Sequence, residues 1–237
     1  MPASRGLTRP QPNWKPHLAM LNNVLKFVQF SYFPTLIFQI DIADASILND
    51  NLFKAIQDIQ NNDQLGVTKS NYRELGGWHS KENLHKRPEF EPIVQHVNAS
   101  SKQIACDLGY HRDYELRIGT MWAIINPPGA VNLSHVHPGC LWSGVYYVKA
   151  PTNCGKISFT DPRTANVMNK PVFELDCKPP KRCWTKVSFT PTQGRMLIFP
   201  SWLYHSVAPN LASSSDGGGE RVIISFNLSQ HRLRKVH

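Results

Sequence analysis

Two hydrophobic periods divide the chain. In the first half, Leu52, Phe53, Ile56 and Ile59 recur at helical spacing behind Asn49 or Asp50, either of which can cap the run. Pro88 then opens a second helical run, with Phe90, Ile93, Val94, Val97, Ile104, Ala105 and Leu108 on it and Gly109 stopping it. Each helix carries one apolar stripe, suited to lying against a sheet. From residue 114 onward the period becomes alternating, with β-branched and aromatic enrichment between frequent turn signals. Strands are predicted near 116–125, 132–137, 143–149, 156–160, 172–176, 185–190, 194–199, 205–208 and 221–228. Many short strands punctuated by Pro and Gly predict a mainly β domain, a double-sheet jelly roll with its helices packed outside.

With 237 residues, the chain suits one such domain. The expected division is a basic extension over 1–30, disordered or targeting, and a domain over 31–229 with a helical flank (45–112) and a jelly-roll core (113–229). A basic tail occupies 230–237. There is no internal repeat, and the low-complexity patch from Ser213 to Gly219 reads as a surface loop.

Charge changes the picture less than its size suggests. The formal net charge is +9, but Arg5, Arg9, Lys15 and Lys26 precede any acid and Arg232, Arg234 and Lys235 follow the last one. Residues 41–229 are therefore close to neutral, which argues against a groove for a phosphate backbone. Lys178, Lys181, Arg182 and Lys186 surround Pro179-Pro180 and read as a solvated loop. No apolar run is long enough to span a bilayer. Five cysteines without a CxxC pair fit neither a disulfide framework nor a thiolate zinc site, so a reducing compartment is expected, either the cytoplasm or an organelle interior.

The candidate chemistry begins at Ser134-His135-Val136-His137-Pro138. On an extended strand His135 and His137 project to one face, and Pro138, with no amide hydrogen for a ladder, should end the strand at a barrel mouth. Such a pair alone is more often polar surface or hydrogen-bonded structure than a ligand set. His205, a third histidine set among aromatic and aliphatic residues, needs a partner or a metal. Three protein ligands leave coordination positions open for an organic co-substrate and dioxygen. Arg221 and Ser225 share one face of a later strand, so a guanidinium fork and a hydroxyl can both meet a carboxylate. Asp161, in Asp161-Pro162-Arg163, is the alternative third ligand, and a loop-fixing Asp–Arg turn explains it without a metal.

The order of the blocks HVHPG, SGVYY, DPR, FPSWLYHSV.PN and RVIISFN, between about Tyr32 and Leu228, resembles the iron(II)- and 2-oxoglutarate-dependent oxygenases. The resemblance implies a double-stranded β-helix using Fe(II), 2-oxoglutarate and O2, which hydroxylates a substrate while 2-oxoglutarate is decarboxylated to succinate. It makes His135 the first metal ligand, His205 the last, and Arg221 the partner of the distal 2-oxoglutarate carboxylate. His137 stands where most of the superfamily has an acid, and Ile223 where a serine is frequent, with Ser225 as its substitute if the register allows. Asn126 matches a position that often contacts 2-oxoglutarate, and Tyr146 or Tyr147 can supply a phenol hydrogen bond. Trp78 and His79, after Gly76-Gly77, are candidates for a substrate lid.

Two alternatives stay open: a three-histidine cupin-like dioxygenase that does not use 2-oxoglutarate, and a non-catalytic jelly-roll binding module. The partner expected is a small-molecule or protein substrate rather than nucleic acid, and self-association into a homo-oligomer is compatible with the chain.

Overall fold

The alternating runs pair into two antiparallel sheets in a computed structural model, which describes residues 28–71, 73–169, 171–173, 179–213 and 219–233. The chain up to Thr35 is a unit of its own, whose described part, 28–35, holds neither helix nor strand. Every helix and strand among the described residues belongs to the unit that starts at Leu36.

Ten strands are present among the described residues: β1 (Phe38–Asp41), β2 (Trp78–His79), β3 (Tyr114–Asn126), β4 (Asn132–His135), β5 (Trp142–Lys149), β6 (Ile157–Thr160), β7 (Lys186–Phe189), β8 (Arg195–Pro200), β9 (His205–Val207) and β10 (Arg221–Arg232). The larger sheet has the order β1-β8-β5-β10-β3-β2 and the smaller one β4-β9-β6-β7. The α-helices are α1 (Ser46–Asn61), α2 (Gln64–Lys69), α3 (Glu91–Asp107) and α4 (Thr164–Met168). The protein is mainly β, a double-stranded β-helix with helices on the outside of its larger sheet, as the alternation predicts.

The central strand β10 shows why. Val222, Ile224, Phe226 and Leu228 face outward, where Leu52 and Ile56 of α1 and Ile93, Val97 and Ile104 of α3 complete one core. Across the sheet, Ile223 joins Val145, Tyr147, Ile157, Phe159, Leu197 and Phe199 in a second core between the sheets. Both faces of β10 are largely buried, but they differ in kind: the helix-side face is apolar, while the inner face carries Arg221, Ser225 and Asn227 beside Ile223. Gly144 on β5 lies opposite Phe226, whose ring would come within 2.8 Å of any added Cβ, so a side chain there is sterically excluded.

Several boundaries differ from those expected. Helix α1 starts a turn earlier, behind Ala45, because Asn49 is not a cap but a buried residue inside the helix, bonded to Tyr146. Strand β4 stops at His135, and β10 continues past residue 228 to Arg232 by pairing with the start of β3. The strands β1 and β2 were not anticipated, being four and two residues long. Most of the strand expected near 172–176 lies outside the described residues, as do residues 1–27, Lys178 and positions 214–218 of the Ser/Gly patch. No helix among the described residues is long and apolar enough to cross a membrane.

Candidate metal centre and its cavity

Three imidazoles converge at the open end between the sheets. The ligand atoms of His135, His137 and His205 all lie within 4.8 Å of one another. Register brings two of them together, since His135 on β4 pairs directly with His205 on β9. His137 lies beyond the strand, and a hydrogen bond from its backbone N–H to the Ser201 carbonyl (2.9 Å) turns it back toward the other two. The ring centroids are 4.3 Å apart for His135 and His205, and 5.2 Å for each pair that includes His137.

Backbone carbonyls orient two of the rings. Nδ1 of His135 is 2.7 Å from the Leu133 carbonyl and Nδ1 of His205 is 2.9 Å from that of Leu203. A carbonyl only accepts, so each Nδ1 carries hydrogen and each Nε2 keeps its lone pair for a metal. Burial pulls the His205 pKa down to about 4, reinforced by the neighbouring histidines and opposed by its carbonyl bond. Burial and then His135 also lower that of His137, against a hydrogen bond to Asn227. Asn227 is itself held by Ser143 (2.8 Å) and Thr120 (3.0 Å). Neutral imidazole is the metal-binding form, so the donor set suits a divalent ion.

These histidines open onto a cavity of about 550 Å³ that also contains Arg221, Ser225 and Tyr147. Arg221 is 1% exposed. Its guanidinium donates to the Cys154 carbonyl and, at 3.5 Å, to Asn132 Oδ1, and it forms no ion pair among the described residues. Burial lowers its pKa, yet an arginine keeps its proton in proteins. A buried cation that lacks an anion among the described residues therefore lines the cavity. Ser225 faces the same space, but four residues from Arg221 on an extended strand amount to about 13 Å, which puts its hydroxyl toward Trp122 and the histidines.

The other candidates sort by strand parity. Tyr146 points away from the cavity into the helix-side core, where its hydroxyl donates to Asn49 Oδ1 (2.7 Å) and burial raises its pKa to about 12. The residue on the cavity is Tyr147, which burial holds in the neutral phenol form with Arg221 opposing. Asn126 pairs with Arg221 in register and is 2% exposed, and its Nδ2 is a buried donor without a partner. Asp161 is not in the histidine cluster. Its carboxylate accepts from the Arg163 backbone N–H (3.0 Å), Nε (2.9 Å) and Nη2 (2.9 Å) and from Asn166 (3.1 Å) at the start of α4, which lowers its pKa to about 2.

Sequence reasoning missed Asn132, Asn227 and Trp122, which carry no motif of their own; their proximity to the site follows from the pairing of β3, β4 and β10. Trp78 and His79, expected in a lid, instead form β2 at the edge of the larger sheet, paired with Ile125 and Ile124.

Residues 120–227, from within β3 to within β10, match a family model described as "Putative 2OG-Fe(II) oxygenase". The oxygenase resemblance read from the sequence therefore holds over the core that carries the three histidines and Arg221. Iron(II), 2-oxoglutarate and dioxygen are what that class uses. No curated protein matches the chain. Among solved structures, a Pseudomonas putida prolyl-4-hydroxylase is 14% identical with a TM-score of 0.53, over 84% of this chain and 94% of that one. A prolyl hydroxylase from Trichoplax adhaerens, in complex with a hypoxia inducible factor peptide fragment, is 16% identical with a TM-score of 0.53, over 81% and 83%. The epimerase SnoN from nogalamycin biosynthesis, solved with Fe3+, alpha ketoglutarate and nogalamycin RO, is 10% identical with a TM-score of 0.56, over 86% and 83%. At these identities the likenesses show the fold.

Proposed function

We propose that the protein is an iron(II)- and 2-oxoglutarate-dependent dioxygenase that hydroxylates its substrate, with His135, His137 and His205 as metal ligands and Arg221 as the anchor of the co-substrate. The observation that carries this reading is the unpaired, buried Arg221 guanidinium in the same cavity as the three imidazoles.

The charge balance of the site supports it. Three neutral imidazoles leave the full charge of a divalent ion, and Arg221 adds a cation at the far end of the cavity. A dianionic dicarboxylate spanning the two answers both, and a buried charge is tolerable only when paired. Bound there, iron(II) and 2-oxoglutarate supply dioxygen-dependent oxidation of a C–H bond coupled to decarboxylation of the co-substrate.

The chain's own residues position the reactants. The Leu133 and Leu203 carbonyls fix the ligand tautomers, and Ser201 ties His137 into the set. Of the two tyrosines considered for a phenol hydrogen bond, Tyr147 takes the role, a neutral phenol beside Arg221 that donates to the distal carboxylate. Asn126, opposite Arg221 in register though not among the residues lining the cavity, keeps an orphan buried Nδ2 as a further donor beside the anchor. Ser225 serves the metal end of the co-substrate instead. Asp161, its oxygens already engaged by Arg163 and Asn166, fixes the turn into α4 rather than a metal.

Anaerobic calorimetry with Fe2+ and then 2-oxoglutarate tests the reading. The expected result is metal-dependent binding of 2-oxoglutarate, lost in Arg221→Ala, and loss of metal binding in His137→Ala but not in Asp161→Ala. A set of three imidazoles without a carboxylate also suits a cupin-like dioxygenase that needs no co-substrate. Iron binding without 2-oxoglutarate binding would favour that class and refute ours.

A further inference from the structure

The cavity onto which the three histidines open is poor in charged side chains. Arg221 is the only Arg, Lys, Asp or Glu among the described residues that line it. Its walls include the apolar Trp122, Ile124, Val131 and Leu133, with His79, Asn71 and Ser134 among the uncharged polar groups. An anionic substrate group entering there would meet no side-chain cation beyond Arg221, and the dianionic co-substrate already answers the charges of Arg221 and of a bound divalent ion, so burying a further anion is costly. An apolar, uncharged group meets no such penalty.

His79 is the polar group whose orientation is fixed. Its Nδ1 lies 2.7 Å from the Ser80 carbonyl, so Nδ1 carries a hydrogen and, in the neutral ring, Nε2 at the far edge carries a lone pair. Nε2 has no hydrogen-bond partner among the described residues, and the ring is half-buried on the cavity wall. The ring is also stacked. It lies near-parallel to Trp122 (centroids 6.0 Å, planes 16° apart), and Trp122 lies near-parallel to His137 (5.8 Å, 20°). The indole is thereby held between a metal-ligand candidate and His79, in the offset range that aromatic pairs prefer.

The strand beneath is equally well held. Ser80 is fully buried, its N–H donating to the Ala123 carbonyl (3.0 Å) and its Oγ accepting from the Ala123 N–H (2.9 Å). Trp78 is fully buried behind it. A lone pair on a rigid strand, two stacking steps from the metal-ligand candidates and facing a cavity, is a preorganised acceptor.

We propose that His79 is a substrate-binding residue whose Nε2 accepts a hydrogen bond from an N–H or O–H of an uncharged, largely apolar prime substrate, which it orients toward the metal end of the cavity. This rests on the oxygenase reading above and adds to it the chemical class of the molecule that is oxidised. It also replaces the lid expected at Trp78 and His79 with a fixed wall.

The test uses the protein loaded with Zn2+, which has no redox chemistry, and 2-oxoglutarate, so that ligands bind without turnover. Binding is measured by ligand-observed NMR titration with indole, which is apolar with one N–H donor, with benzofuran, its isostere without a donor, and with indole-3-carboxylate. Indole should bind about five-fold more tightly than benzofuran, the worth of one ordinary net hydrogen bond, and the carboxylate weakest of the three. His79→Ala should bind indole and benzofuran equally, and His79→Gln, whose amide oxygen is again an acceptor, should recover part of the preference. Equal binding of the two isosteres by the unaltered protein, a preference that survives His79→Ala, or no probe binding at all to protein that holds 2-oxoglutarate would each overturn the proposal. Failure of the Zn2+ protein to bind 2-oxoglutarate is a separate outcome, which overturns the oxygenase reading itself and this proposal with it.

Discussion

Replacing Arg221 with Met should make the protein more stable and useless for holding 2-oxoglutarate. The guanidinium is 1% exposed, has no carboxylate partner among the described residues, and bonds to the Cys154 carbonyl and, at 3.5 Å, to Asn132. Desolvating an unpaired cation costs several kcal/mol, and exchanging buried charges for apolar groups of similar volume is neutral to stabilising by ~1–4 kcal/mol. Against this, the Cys154 carbonyl loses its donor, which costs ~1–3 kcal/mol. The net expectation for the ligand-free protein is a gain of about 1 kcal/mol, or roughly 2–4 °C in Tm for a chain of this length. Two charge-assisted bonds to a carboxylate are together worth ~3–6 kcal/mol, so 2-oxoglutarate affinity should fall by about 10²-fold or more. Thermal unfolding of both proteins, with and without Zn2+ and 2-oxoglutarate, reads both effects. The unaltered protein should gain Tm on adding 2-oxoglutarate and the variant should not. An Arg221→Met protein that keeps the full 2-oxoglutarate-dependent shift would show that Arg221 is not the anchor. One that melts well below the unaltered protein without ligand would show that the guanidinium is a structural tie instead.

The two adjacent tyrosines should separate by role. Tyr147→Phe should weaken 2-oxoglutarate binding about five- to ten-fold by calorimetry with little change in Tm, while Tyr146→Phe should leave binding intact and cost about 1–2 kcal/mol of stability by stranding Asn49. Asp161→Asn should keep metal affinity and lose about 1 kcal/mol of stability at neutral pH. Because the folded Asp161 pKa is about 2, below its unfolded value, that contribution is complete above the unfolded pKa and fades as pH falls from about 4 to about 2, so the two urea midpoints should converge on acidification; a constant gap would refute this account. Gly144→Ala should destabilise by about 1–3 kcal/mol in chemical denaturation, since its Cβ would overlap the buried Phe226 ring; an unchanged midpoint would show that the ring can move aside.

The chemistry was legible in residue types, and its geometry only in part. Alternation placed most strands from residue 114 onward, because one face of each is buried against the other sheet or the helices. It failed where both faces are buried. In β5 the run Trp142–Val148 is buried throughout, so nothing in the local pattern distinguishes Tyr146 from Tyr147. The choice is made by the neighbouring strand: Ile223 pairs with Tyr147 and Ile224 with Tyr146, and Ile223 shares its face with Arg221. His137 was legible for a reason that proved incomplete. His-x-His on a strand points both rings one way, yet β4 ends at His135, and a bond to Ser201, far away in sequence, turns His137 back. The short strands β1 and β2 carried too little pattern to be read, and β2 holds His79.

The local pattern lacked a single parity, and the three central strands share one. Arg221, Ile223, Ser225 and Asn227 on β10 face inward with Asn126, Ile124, Trp122 and Thr120 on β3, and with Tyr147, Val145 and Ser143 on β5. The intervening residues all pack toward the helices. The register shifts of β10 fall between Val222 and Ile223 on the β5 side and between Asn227 and Leu228 on the β3 side, so pairing with both neighbours is unbroken from Ile223 to Asn227. From Arg221 to Asn227, a span whose pairing with β3 is unbroken, the inner face runs from the buried cation, past an aliphatic spacer, to the hydroxyl and amide next to the histidines. A slip of one residue would exchange every one of these groups for a core side chain. The two-sided burial of β10 therefore pins the register on which the candidate site depends, because neither the helix-side core nor the cavity can accept the other's residues.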